Sequence, residues 1–212
     1  MLTYEEALEE LLAHVPKPKV KSLSLQRSLG CVLAVSVDAD LNVPPFQKSF
    51  VDGYAVRSQD VKQVPVKLEV TSVVGAGSSQ TPQLGCGQAV QIMTGAPLPV
   101  GADAVQMVER TRQISSSVVE ILEPVMVGQN MASEASEVKK GTQVLQQGTQ
   151  IGPAEIGVLA TFGRSRVDVY NAPTVAVIST GDELVDIDEQ PRFGQIRNSN
   201  ACSLRAAVIE SG

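Results

Sequence analysis

The sequence predicts a mixed α and β, multi-domain chain, and three observations carry that prediction. Apolar residues repeat at helical spacing from Ala7 to Val15. From Pro44 to about Gly141 that spacing gives way to short alternating runs separated by Gly, Pro and Ser, the texture of a small β domain, a barrel or a sandwich. Further on, "APTVAVIST" is apolar on both faces, as a buried parallel strand is, and a helical pattern follows it. The 212 residues suffice for one large domain or two small ones.

Taken in order, the elements have local reasons. Thr3 and Glu6 form a capping box ahead of Ala7, Leu8, Leu11, Leu12 and Val15, and Pro16 and Pro18 stop that helix. Leu23 to Leu29 predicts a second short helix closed by Gly30, and Val32 to Val37 a third. In the β-rich region strands are expected at Val66–Val74, Gln88–Met93, Ala102–Glu109 and Ser117–Val125. "VGAGSSQ" is neither a Walker A loop nor GxGxxG and reads as a flexible hairpin tip. "KKGTQVLQQGTQIGP" predicts two extended pieces around turns. "PAEIGVLATFG" predicts a helix with Pro153 near its first position and Gly163 past its end, and "RSRVDVY" a strand. A last helix is expected from about Ala201, with Leu204, Ala207 and Val208 on one side and Gly212 at its end. One doubly apolar strand and one helix cannot cover each other. The expectation is therefore an α/β domain that is truncated at residue 212, or a segment that docks on the rest of the chain or on a second copy.

Composition narrows the function classes. Apolar residues make up 43% and charged residues 19%, which excludes a disordered or membrane composition. A net charge of −6 and 3% aromatics argue against a nucleic-acid groove. No apolar run approaches the roughly 20 residues of a membrane span, and the acidic N-terminus resembles no signal peptide, so a cytoplasmic protein is expected. Cys31, Cys86 and Cys202 fit no zinc or disulfide spacing and are expected as buried free thiols. His14, the single histidine, lies on the first helix and builds no Ser-His-Asp arrangement.

Three loops could carry chemistry. In "KSFVDGYA" Asp52 precedes Gly53: either the pair makes a turn, as Asp-Gly does in hairpins, or Gly53 allows a close approach and Asp52 is a reactive carboxylate. Lys48 and Arg57 flank it and could hold an anion. In "IMTGAPLPVGADAV" Thr94 and Gly95 follow a strand directly, where a hydroxyl beside free backbone N–H groups can hold an oxyanion such as a phosphate, or simply cap a turn. In "ISTGDELVD" Asp182 and Glu183 lie past the carboxyl end of the doubly apolar run, where open α/β sheets bind ligands. Adjacent side chains point different ways, so these two acids can split roles, one toward a hard cation and one toward a substrate; a helix-start signal is the alternative.

In their order and wording, "VPPFQKSFVDGYAVRSQD", "GQAVQIMTGAPLPVGADAVQMVE", "VAVISTGDELVD" and "GQIRNSN" resemble the molybdopterin molybdenumtransferases, the MoeA-type enzymes also seen as the C-terminal region of gephyrin. The resemblance runs in register over nearly the whole chain. It implies an elongated N-terminal domain over residues 1–43 and 138–168, an inserted β-barrel-like domain over 44–137, and the start of an α/β molybdopterin-binding domain over 169–212. It implies insertion of molybdenum from molybdate into adenylated molybdopterin, with AMP release and Mg²⁺ assisting, by a homodimer that could also meet other cofactor-biosynthesis proteins. It implies catalytic roles for Asp52, Thr94 and Glu183. Thr94, Gly95, Thr180, Gly181, Asp182 and Ser199 would contact substrate or cofactor, and Asp52, Asp182 and Glu183 the metal. Residues 1–212 alone would lack most of the cofactor site. The family usually reads Arg-x-x-Gly-x-Asp where this chain has Ala132, Ala135 and Glu137, and many relatives carry Asp where it has Asn198. The first departure leaves room for a non-catalytic scaffold relative, as gephyrin clusters receptors.

Overall fold

The computed structural model describes residues 2–212 and divides the chain into two compact units, residues 1–37 with 145–212 and residues 38–144. The second unit is wider than the 44–137 span that the resemblance implies. The reason is main-chain pairing: residues 38–43 run beside 138–142, with the Ala39 N–H donating to Thr142 O (2.9 Å) and the Val43 N–H to Val138 O (2.7 Å). Residues 169–212 fall in the same compact unit as the N-terminal segment.

Helix α1 (Tyr4–His14) begins at the Thr3/Glu6 capping box, both halves of which are formed, and none of its residues is buried. Strand β1 (Val20–Ser24) follows, and the helix expected at Leu23–Leu29 shrinks to one 3-10 turn at Leu25–Arg27. The helix expected at Val32–Val37 does not form. Its amides are used elsewhere: the Leu33 N–H donates to Thr149 O (2.9 Å) and the Ala34 N–H to Asp168 O (2.9 Å), which buries Leu33. A six-residue, largely apolar run is too short for its periodicity to tell helix from extended chain, and long-range partners decide. β2 (Val37–Asp38) leads out of this unit.

The second unit holds β3 (Lys48–Ser49), β4 (Gly53–Val56), β5 (Val66–Val74), β6 (Gln88–Ile92), β7 (Ala104–Met107), β8 (Thr111–Ser115), β9 (Val118–Ile121) and β10 (Met131–Ala132). Six of them form one mixed sheet in the order β7-β4-β6-β5-β9-β8, and β10 pairs with β3. Among the described residues the edge strands β7 and β8 do not pair with each other. Both faces are buried. Tyr54, Val56, Leu68, Ala89, Val119 and Ile121 pack on one face, and Ala55, Val74, Val90, Ile92, Leu98 and Val105 on the other. Because successive side chains alternate between two apolar cores, "GYAV" shows no polar alternation, and β4 escapes a pattern-based reading.

β5 and β6 pair parallel, so the 13 residues 75–87 between them are a crossover and not the expected hairpin tip. Parallel neighbours need a connection of about a dozen residues or more. This one turns inward at Leu84, which is buried. Near its end lies Cys86, which is exposed, as is Cys202, while Cys31 is half-buried; the thiols are free but not the buried set expected.

Ala135 has φ +60°, in the left-handed region that disfavours a Cβ. It stands where the resembled family carries glycine. Its N–H is held by Pro44 O (3.0 Å), so the strained turn is fixed in place. Ala135→Gly should raise stability by about 0.5–1 kcal/mol, the relief of strain exceeding the added freedom of the unfolded chain. Urea unfolding of the two proteins checks this.

β11 (Gln143–Leu145) leads back into the first unit. Helix α2 (Pro153–Thr161) starts with Pro153 in its first turn and closes before Gly163, as expected. β12 (Arg166–Tyr170) pairs antiparallel with β1, Val20 opposite Tyr170. The strand expected in "APTVAVIST" does not form: no described strand lies beside residues 171–179, and Val175 and Ile178 are 52% and 82% exposed. Extended backbone becomes a strand only with a hydrogen-bonded neighbour. β13 (Leu184–Val185) and β14 (Ile196–Arg197) form a short parallel pair. Helix α3 (Ser199–Glu210) begins two residues earlier than expected, because the Asn198 side chain caps it by accepting from the Ala201 N–H.

Candidate functional site

Asp52 and Thr94 come together. Asp52 immediately precedes β4, which lies inside the sheet between β7 and β6. Thr94 follows β6 by two residues, in a four-residue turn closed by the Ala96 N–H donating to Met93 O (3.0 Å). Gly95 has φ +79° in that turn, a conformation that favours glycine. Asp52 Oδ1 accepts from the Thr94 N–H (2.7 Å) and from the Thr94 hydroxyl (2.8 Å). The Thr94 N–H holds the Asp52 carboxyl below its ordinary value of 3.8; the Thr94 hydroxyl adds to the effect and slight desolvation opposes it. Asp52 is thus an anion at neutral pH. Both side chains are exposed, and no described donor bonds Asp52 Oδ2.

The hairpin reading of Asp-Gly is overturned. Gly53 is a strand residue paired with Met107 and Ile92, and a Cβ built on it would lie 1.9 Å from Gln106 O. Close approach, the other sequence reading, is what the glycine provides. The free amides expected beside Thr94 are engaged as well: Thr94 N–H by Asp52, Gly95 N–H by Ser49 O (2.9 Å), and Ala96 N–H by Met93 O. Of the flanking cations, Arg57 lies 3.7 Å from Asp60, not on Asp52.

A second carboxylate fork was not anticipated. Asp103, just ahead of β7, accepts from the Ser58 N–H (2.6 Å) and Ser58 hydroxyl (2.9 Å). Asp52 and Asp103 therefore pin the two ends of β4, one at an exposed position and one part-buried.

Thr180, Gly181, Asp182, Glu183 and Ser199 lie in the other unit. Thr180, Glu183, Asn198, Ser199 and Asn200 line an open cleft at the start of α3, and Asp182 does not. Glu183 turns back over Gly181, where a Cβ would lie 2.5 Å from Glu183 Oε2. Among the described residues no three His, Cys, Asp or Glu side chains converge on one point. Mg²⁺ commonly takes one or two carboxylates and fills its shell with phosphate and water, so the unbonded Asp52 Oδ2 is the kind of oxygen that fits it.

Comparison with known proteins gives the family. A family model described as the MoeA N-terminal region, domains I and II, matches residues 2–163. Molybdopterin molybdenumtransferase of Bacillus subtilis (strain 168) is 37% identical over 215 residues, covering 98% of this chain and 50% of that protein. The protein of the same name from Staphylococcus aureus (strain Mu50) is 37% identical over 212 residues. The chain spans about half the length of these relatives. Crystal structures of the molybdopterin biosynthesis MoeA protein from Pyrococcus horikoshii superpose with TM-scores of 0.86 and 0.88 at 33% identity, over 98% of this chain and 54% and 56% of theirs. No described helix is long and apolar enough to cross a membrane. With the family match over most of its length and the mixed α and β fold in common, the chain belongs to the MoeA N-terminal family.

Proposed function

We propose that this chain acts in molybdenum cofactor biosynthesis, as the N-terminal part of a transferase that inserts molybdenum from molybdate into adenylated molybdopterin and releases AMP. The observation that carries the reading is the 37% identity to a protein named molybdopterin molybdenumtransferase over 98% of the chain. The reading brings with it Mg²⁺, a homodimer and a cytoplasmic location. Cleaving a phosphoanhydride calls for charge neutralisation and an oriented nucleophile. Asp52 suits this as an ionised oxygen ligand with one face unbonded, and Thr94 as the group that fixes its direction. Glu183, with Thr180 and Ser199 on the same cleft, suits substrate or metal contact.

The test uses this chain extended to the length of its relatives, supplied with adenylated molybdopterin, molybdate and Mg²⁺, with AMP release followed by chromatography. Release well above the protein-free rate is expected. No release, where the Bacillus subtilis protein gives it under the same conditions, overturns the proposal. Glu183→Gln should slow turnover by roughly 10–100-fold with an unchanged unfolding curve, and an unaltered rate removes Glu183 from the site.

A further inference from the structure

Ser49 lies three residues ahead of Asp52 and is 1% exposed. Its main chain ties two segments together. The Ser49 N–H donates to Ala96 O (3.0 Å), and Ser49 O accepts from the Gly95 N–H (2.9 Å), so the bonds close on the residues just after Thr94. Its side chain acts on the other segment. The Ser49 hydroxyl donates to Val51 O (2.7 Å) and accepts from the Val51 N–H (3.2 Å), closing a tight turn that ends one residue before Asp52. On its other side Asp52 is held by its own carbonyl, which accepts from the Val108 N–H (3.0 Å).

We propose that Ser49 is a positioning residue for Asp52: its hydroxyl fixes the Ser49–Val51 turn while its main chain fixes the Thr94 loop, so the carboxylate arrives at the Thr94 amide and hydroxyl. The two contributions are separable. Ser49→Ala keeps both main-chain bonds to Gly95 and Ala96 and removes only the hydroxyl. Val51 then loses a donor and an acceptor at a part-buried place, and the turn that leads into Asp52 is free to relax. The bearing on catalysis rests on the proposed role of Asp52, whereas the hydrogen bond itself can be read without any reaction.

The experiment is amide NMR of the ¹⁵N-labelled 212-residue chain, following the Thr94 N–H, with Asp52→Asn as the reference for a lost carboxylate. A bond of 2.7 Å to an ionised oxygen gives a downfield, slowly exchanging proton. In Ser49→Ala the Thr94 N–H should move upfield toward its position in Asp52→Asn and exchange at least about tenfold faster. The amides of Ala55, Val90 and Val105 should keep their protection. Ser49→Thr, which restores a hydroxyl, should return the Thr94 signal. An unchanged Thr94 proton in Ser49→Ala overturns the proposal. So does the same loss in Ser49→Thr, or a general loss of sheet protection in both variants, either of which makes Ser49 a packing residue. A failed molybdenum-transfer assay leaves these signals untouched, so the two readings fail separately.

Discussion

Gly53→Ala lowers the stability of the β-rich unit by about 3 kcal/mol or more, because the added Cβ would sit 1.9 Å from Gln106 O. Backbone faces backbone there, and no flexible side chain can step aside. The clash is relieved only by parting β4 from β7, which weakens the Gly53–Met107 end of the ladder and the Val108 to Asp52 bond. Thermal unfolding by circular dichroism should show the midpoint of this 107-residue unit (38–144) falling by about 10 °C or more. Gly75→Ala is the control: nothing lies within 4 Å of a Cβ there and its φ is ordinary, so a change within about 0.5 kcal/mol is expected. Equal effects at both positions would refute the close-approach account.

Asp52→Asn should reduce AMP release by the extended protein on the order of 100-fold while leaving the fold intact, the loss typical of removing one preorganised electrostatic group. Thr94→Val, which keeps the amide bond and deletes the hydroxyl, should cost roughly 10–100-fold as the loss of an orienting partner. The pH dependence has a definite sign. Folding lowers the Asp52 pKa, chiefly through the Thr94 N–H, so the ionised form is the favoured one. Its contribution to stability is fully present above the ordinary value of 3.8 and fades as pH falls through the lowered value. The stability gap between wild type and Asp52→Asn should therefore narrow below that pH, and the ¹³C titration of the Asp52 carboxyl should run below 3.8 in wild type and rise toward it in Thr94→Val. A titration already at 3.8 in the wild type would show that the Thr94 fork does not form in solution.

Where local chemistry suffices, the sequence names the structure. Thr3 with Glu6 starts α1, Pro153 starts α2, and the alternating runs at Val66–Val74 and Gln88–Ile92 are strands. Where the outcome depends on distant partners, it does not. The helix expected at Val32–Val37 gives way to bonds with Thr149 and Asp168, more than a hundred residues away in sequence. The strand expected in "APTVAVIST" lacks a described neighbour, and the crossover at 75–87 follows from parallel pairing that no local signal reports.

The candidate site divides in the same way. The sequence by itself determined which residue types stand ready: Asp52 beside Gly53, Thr94 beside Gly95, Asp182 beside Glu183, in an order that resembles one enzyme family. Only the tertiary structure decided what each does locally. Asp52 grips Thr94 across 42 residues of sequence, Gly53 is a strand residue pressed on Gln106, and the buried Ser49 hydroxyl sets the turn. The physical reason is that side-chain chemistry is a property of the residue, while hydrogen-bond partners, close approach and the pKa they shift are properties of atoms brought together by the fold.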